Sequence, residues 1–200
     1  MTTAPSSAMT EAMLARFEEG FERAKAAEIP EPTAMTLATV DDQGRPSART
    51  MLLKGVDADG FVFFTNLESR KGQQLANNPN VSLVFFWREL AEQVKIEGRA
   101  EAVTAEEADA YFASRPRGSQ IGAWASLQSQ PLEHRDVFDQ RIAEIEARYR
   151  GQDVPRPPHW SGFRVRPRRV EFWYGRQYRL HERVRYELVD GHWRESLLYP

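Results

Sequence analysis

The chain has 200 residues, enough for one domain with a substantial core, and its 27 Lys and Arg against 29 Asp and Glu leave a formal net charge of −2. That balance provides no global field for nucleic acid or an anionic membrane. The sequence contains no cysteine, which excludes disulfides, thiolate metal sites and thiol catalysis together.

Met1 to Thr10 is rich in Ser, Thr and Ala and lacks a basic region followed by an apolar run, so it reads as a loose tail rather than a secretory signal. No stretch approaches the roughly 20 apolar residues that span a bilayer, and a soluble, cytoplasmic chain is expected. Met13, Phe17, Phe21 and Ala24 recur at helical steps and predict an amphipathic helix ending before Pro30 and Pro32. The period then changes to two. Met35 to Val40 and Ser47 to Lys54, separated by Asp41-Asp42-Gln43-Gly44, predict a hairpin. Asp57 to Gly60 turns the chain into Phe61 to Thr65, which is expected to add a third strand as a meander.

Ser69 to Ala76 predicts a short helix, followed by strands over Val81 to Trp87 and Gln93 to Val103. Thr104 and Glu107 have capping-box spacing at the start of a helix running to about Ser114. Phe138, Ile142, Ile145 and Tyr149 mark another helix, and the proline-rich Gly151 to His159 is a loop. Gly162 to Trp173 and Arg179 to Val189 read as strands, and Asp190-Gly191 is a type I′ hairpin signal. Six or more antiparallel strands must hide their edges. The expected fold is therefore mainly β with peripheral helices, closed as a small barrel.

Spacing removes several chemistries. No G-x-G-x-x-G or P-loop pattern occurs, Gly118 to Gly122 is not a nucleophile elbow, and His134, His159, His181 and His192 do not pair as zinc ligands, so no metal is expected. What stands out is cationic clustering: Arg49 and Lys54, Arg70 and Lys71 at a helix start, Arg115 and Arg117 around Pro116, and Arg179 and Arg183 around His181. Guanidinium groups and helix N-termini suit phosphate. Alternation would put Arg179, His181 and Arg183 on one strand face. Solvated ion pairs account equally well for any single arginine.

Four segments in order, Arg49 to Lys54, Phe63 to Lys71, Ser114 to Trp124 and Arg179 to Arg183, resemble the pyridoxine/pyridoxamine 5′-phosphate oxidase family, in register from about Pro32 to Pro200. The resemblance implies a homodimeric FMN-binding split β-barrel, with a tail and helix over residues 1–31 and the oxidase domain over 32–200, including C-terminal dimerisation strands. It implies oxidation of pyridoxamine or pyridoxine 5′-phosphate to pyridoxal 5′-phosphate with O2, yielding hydrogen peroxide, and ammonia from the amine. Carried over by position, the cofactor residues are Arg49, Thr50, Met51, Leu52, Leu53, Lys54, Phe64, Thr65, Arg70, Lys71, Gln93, Trp173 and Arg183, with Gln128 and Ser129 reaching the flavin from the other subunit. Lys54, Tyr111, Arg115 and Ser119 would grip the substrate phosphate, and Arg179 and His181 would stand beside the pyridine ring as catalytic groups. The family's N-terminal Arg-x-x-Tyr pattern is not found in Met1 to Glu31, which leaves the presence of a substrate lid open. A non-catalytic carrier of FMN or pyridoxal phosphate and a related split-barrel flavin oxidoreductase are the alternatives.

Overall fold

A computed structural model describes residues 8–200, so the predicted tail falls outside the described residues up to residue 7. Helix α1 (Glu11–Ala26) begins at Thr10, whose hydroxyl accepts the Met13 amide, and turns Met13, Phe17 and Ala24 into the interior. Strands β1 (Ala34–Val40) and β2 (Pro46–Leu52) form the predicted hairpin. A two-residue break leads into β3 (Gly55–Asp57), then β4 (Gly60–Asn66), helix α2 (Arg70–Asn77), β5 (Asn80–Trp87) and β6 (Glu92–Ala102). Three helices follow, α3 (Ala105–Ser114), α4 (Arg117–Ala125) and α5 (Arg135–Arg148), and then β7 (Trp160–Tyr174), β8 (Glu182–Val189) and β9 (His192–Leu197).

The strands make one antiparallel sheet in the order β2-β1-β5-β6-β7-β4-β3, with β8 on β7 and β9 on β8. The two end strands, β2 and β3, are successive in the chain, so the sheet curls until Leu53 and Lys54 bridge its edges. Leu53 N donates to Thr33 O at 2.9 Å and Lys54 N to Val62 O at 2.8 Å, one bond to each side of the seam. Strand β7 has 15 residues and explains the fork in the barrel. One edge of β7 pairs with β6 from Phe163 to Tyr174; the other pairs with β4 over Trp160 to Val165 and with β8 over Arg169 to Tyr174. At the changeover stands Pro167, which has no amide to donate. It faces Gly98, where the β6 register shifts and a Cβ would lie 2.2 Å from Arg166 O.

The main core joins α1 to the barrel interior: Phe17 meets Phe61 edge-on at 5.0 Å and Phe85 at 5.3 Å, beside the fully buried Leu37, Phe63, Leu83 and Ile96. A buried phenylalanine of this kind contributes about 1.5–3 kcal/mol. A second core, of Phe112, Ile121, Ala125, Ile145, Val154 and Trp160, fastens α3, α4 and α5 against the outside of β4 and β7. The capping box at Thr104 and Glu107 is formed, with both bonds at 3.1 Å.

Two expectations are corrected. Strand β4 does not extend a meander beside β2, because it is buried on both faces between the barrel core and the helices and takes β3 and β7 as neighbours. Arg179 to His181 are not strand: a 3-10 turn occupies Gln177–Arg179, Tyr178 and Arg179 have φ of 54° and 62°, and β8 starts only at Glu182. Strand alternation therefore does not put Arg179 on a face with Arg183. The Asp190-Gly191 turn has φ of 52° and 77°, as a type I′ hairpin requires.

Candidate functional site

Beside the seam lies a cavity of about 480 Å³, a size suited to a small-molecule ligand. Thr50, Met51, Leu52 and Lys54 line one side, Phe64, Thr65, Asn66 and Lys71 the floor, and Tyr111, Arg115, Ser119 and Gln128 the helical side. Among the described residues strand β2 pairs with β1 alone, so the outer backbone edge of Arg49 to Leu52 keeps donors and acceptors free of any strand partner there. Phe64 stacks on Tyr111 at 4.0 Å and 15° and lies parallel to Trp160 at 5.3 Å and 8°. These three near-parallel rings form an aromatic stack that lines the cavity. Trp160 was not among the residues expected from the sequence; its place at the start of a strand after a proline-rich loop gives no sign that its ring faces a ligand cavity.

Two cationic groups border the cavity. At the first, α2 begins with Ser69, whose hydroxyl accepts the Gly72 amide at 3.3 Å. Lys71 is buried to 8% exposure, and its ammonium donates to Thr65 Oγ1 at 3.1 Å, Ser69 Oγ at 3.3 Å and Gln128 Oε1 at 3.0 Å. Burial, and then the nearby Arg49 charge, lower the Lys71 pKa to about 8. Arg49 reaches under β1 to Thr39 Oγ1 at 2.7 Å, Ser47 Oγ at 2.7 Å and Leu37 O at 3.0 Å, and its pKa is lowered by burial and by Arg70. Among the described residues, none of Arg49, Arg70 or Lys71 is paired with a carboxylate. Three like charges near a helix N-terminus, with no carboxylate partner among the described residues, make an electrostatic environment that favours an anion.

The second group sits on the helical side. Arg115 follows α3 with its guanidinium 4.7 Å from the Trp160 ring centroid, and its Nη1 is buried with no hydrogen-bond partner among the described residues. Burial pushes its pKa down, partly offset by Tyr111. A buried guanidinium nitrogen without an acceptor costs free energy unless a ligand supplies one. Ser119, in the first turn of α4, and the exposed Lys54 lie around the same space. Arg117 braces the start of α4 by donating to Tyr149 O at 2.6 Å and Gln152 O at 2.8 Å.

The remaining expected residues stand elsewhere. Leu53 is 5% exposed and belongs to the barrel core, while Arg70 is exposed and Ser129 takes a left-handed φ of 73° beyond α4. Gln128 lies against Thr65 and Lys71 of its own chain. Gln93, Trp173 and Arg183 form a cross-strand row on β6, β7 and β8, with the His181 ring 4.5 Å from that of Trp173. The Arg176 amide donates to His181 Nδ1 at 3.2 Å, and Arg179 is exposed. None of this second set lines the cavity within one chain.

Comparison with known proteins agrees with this geometry. Residues 21–149 match the family model described as pyridoxamine 5′-phosphate oxidase, and residues 160–200 match the pyridoxine 5′-phosphate oxidase C-terminal dimerisation region. The chain is 60% identical over 185 residues to the pyridoxine/pyridoxamine 5′-phosphate oxidase of Myxococcus xanthus (strain DK1622), covering 92% of this chain and 90% of that one. It is also 60% identical to the protein of that name from Zymomonas mobilis, over 92% of this chain and 96% of the relative. Among solved structures, PhzG from Burkholderia lata 383, in complex with tetrahydrophenazine-1-carboxylic acid, superposes with a TM-score of 0.90 at 33% identity, covering 98% of this chain and 94% of that one. An FMN-binding protein from Nostoc punctiforme shares the fold with a TM-score of 0.76 at 17% identity, over 98% and 100% of the two chains. On the matched residues and the identity to these relatives, the chain belongs to the pyridoxamine 5′-phosphate oxidase family.

Proposed function

We propose that the protein is an FMN-dependent oxidase that converts pyridoxamine or pyridoxine 5′-phosphate to pyridoxal 5′-phosphate. One observation carries the reading: two cationic groups, at Lys71 and at Arg115, have no carboxylate partner among the described residues and border a single cavity lined by stacked aromatic rings. Two phosphorylated planar ligands, a flavin mononucleotide and a substrate, match that arrangement. When bound, FMN supplies a two-electron acceptor that dioxygen reoxidises, with hydrogen peroxide as the second product.

Arg49, Arg70, Lys71 and the N-terminus of α2 would hold the FMN phosphate, and the unpaired edge of β2, from Arg49 to Leu52, would face the flavin with its amides and carbonyls. Phe64, Thr65, Gln128 and Ser129 would border the ribityl chain and the ring. Lys54, Tyr111, Arg115 and Ser119 would take the substrate phosphate, with Arg115 Nη1 gaining the acceptor it lacks. Gripping the phosphate fixes where C4′ stands, which is a proximity contribution to catalysis. Removal of two electrons, with one proton from C4′ and one from its hydroxyl or amino group, gives the aldehyde from the alcohol, or from the amine an imine whose hydrolysis releases ammonia.

The protein would work as a homodimer, with Gln93, Trp173, Arg179, His181 and Arg183 of one subunit closing the cavity of the other. This accounts for their distance from the cavity in one chain and for the exposure of Phe86, Tyr178, Leu180 and Leu197. Because Nδ1 of His181 accepts the Arg176 amide, a neutral His181 carries its proton on Nε2. It would therefore donate a hydrogen bond to the substrate ring, while Arg179 stabilises negative charge. Among the described residues no helix is long and apolar enough to cross a membrane.

The test is anaerobic mixing of the yellow holoprotein with pyridoxamine 5′-phosphate. Bleaching, followed in air by recovery of colour and one peroxide per turnover, is expected. Bound FMN that does not bleach would favour a carrier. Bleaching only with a ring carboxylate would favour a substrate class like that of the ligand bound to PhzG.

A further inference from the structure

Glu171 is, among the described residues, a carboxylate buried to 4% exposure inside a strand. It lies at the centre of the face that β6, β7 and β8 turn away from the barrel core. Its row contains Lys95 and Arg185, and the next row contains Gln93, Trp173 and Arg183. Glu171 Oε1 accepts from Arg183 Nε at 2.7 Å, and Oε2 lies 3.4 Å from Lys95 Nζ. The other side of Arg183 is also held: Nη1 donates to Tyr199 O at 3.0 Å, and Leu198 N returns to Arg183 O at 3.0 Å. The guanidinium is thus clamped along its Nε edge and at one terminal nitrogen, and Nη2 makes no bond among the described residues.

Burial would raise the Glu171 carboxyl pKa, but the Arg183 hydrogen bond and the Lys95 charge outweigh it and hold the pKa below the usual carboxylate value. A buried ion pair of this kind contributes little net stability compared with apolar side chains of the same shape. Its effect is on where the guanidinium stands, because a clamped fork offers its remaining donors in one direction only.

We propose that Glu171 is a positioning residue that orients Arg183 toward the flavin, so that cofactor affinity depends on a carboxylate that never touches the cofactor. The inference rests on the reading that Arg183 contacts FMN. Lys95 and Glu97, 3.3 Å apart, and Arg169, which bridges Glu97 and Glu187, extend the charge lattice behind Glu171 and keep its second oxygen occupied.

The experiment is a double-mutant cycle on FMN dissociation, measured by diluting each holoprotein and following the fluorescence of released flavin. Glu171→Gln should raise the FMN Kd about tenfold, the order expected for a lost charge-assisted bond. Arg183→Ala should raise it at least as much, and the double variant should be no weaker than Arg183→Ala alone. Melting of the apoproteins supplies a second readout, since a role confined to stability would lower Tm without this non-additivity. Factors that multiply in the double variant overturn the positioning role while leaving the Arg183 contact intact. An unchanged Kd in Arg183→Ala overturns that contact, and the proposal with it. Should Glu171→Gln not fold, the cycle is run with Glu171→Asp, which keeps the charge but draws the carboxylate back by one methylene.

Discussion

Lys71 offers a quantitative test of the first anion site. Its ammonium is buried beside Arg49 with no carboxylate, which lowers its pKa from 10.5 to about 8. A difference of this size is worth about 3 kcal/mol. The unfolded chain holds this proton more tightly than the folded one, so the penalty on the flavin-free protein is full below pH 8 and fades as pH rises from 8 toward 10.5. A bound phosphate reverses the balance by favouring the charged form. Above pH 8 binding must then take up a proton, and FMN should bind about tenfold more weakly at pH 9 than at pH 7. The interval starts above the second phosphate pKa of about 6, so the ligand charge stays constant. Fluorescence titration of apoprotein in half-unit steps measures the profile. Lys71→Met should bind more weakly and show no such dependence, and Lys71→Arg should also be flat because arginine does not titrate there. A flat profile in the native protein, or an unchanged slope in Lys71→Met, would refute the assignment.

Further outcomes follow from the same geometry. Arg115→Gln should raise KM for pyridoxamine 5′-phosphate by about ten- to a hundredfold, the range for loss of a charge-assisted phosphate contact, with FMN content unchanged; steady-state kinetics and the flavin absorbance ratio check both. Gly72→Ala should yield protein poor in FMN and less stable, because its Cβ would lie 2.1 Å from Leu67 O and push the start of α2 away from the loop that precedes it; the flavin ratio and thermal melting measure this. Arg179→Ala should lower turnover far more than flavin content, and a correctly folded variant with native turnover would reject the role given to Arg179. Equilibrium sedimentation of the holoprotein should give twice the chain mass.

Features governed by neighbours in sequence were legible before the fold was known. Turn chemistry at Asp41 to Gly44 and at Asp190-Gly191, the Thr104 cap and the α1 stripe all involve residues a few positions apart. The neighbours of β4 were not legible, because the choice between β2 and β7 is made by contacts about 100 residues distant. Helix α4 gave little periodic signal: it contains Gly118 and Gly122 and follows Pro116, and it is held by Ile121 and Ala125 in the second core and by Trp124 Nε1 on Pro155 O at 2.7 Å. At the site, the clustering of arginines was visible in the sequence. Which of them lack an acid was not, since Arg164 and Arg166 are held by Asp57, Asp59, Glu101 and Glu107 whereas Arg115 and Lys71 are not. At Arg115 and Lys71 that difference leaves charge for a ligand, and it exists only in three dimensions.

The seam at Leu53 and Lys54 has a consequence for dynamics. Everywhere else the barrel wall is held by ladders several residues long, whereas here β2 and β3 are joined by covalent continuity and one backbone bond to each side. Native-state amide exchange should therefore be fastest along this strip, through openings well below the global unfolding free energy. A flavin laid along β2 would stand where a missing strand would stand and take up the hydrogen bonds that the gap leaves. Cofactor loading and barrel closure would then be a single event, with protection of residues 50–56 rising on FMN addition while the β6 and β7 ladder stays unchanged.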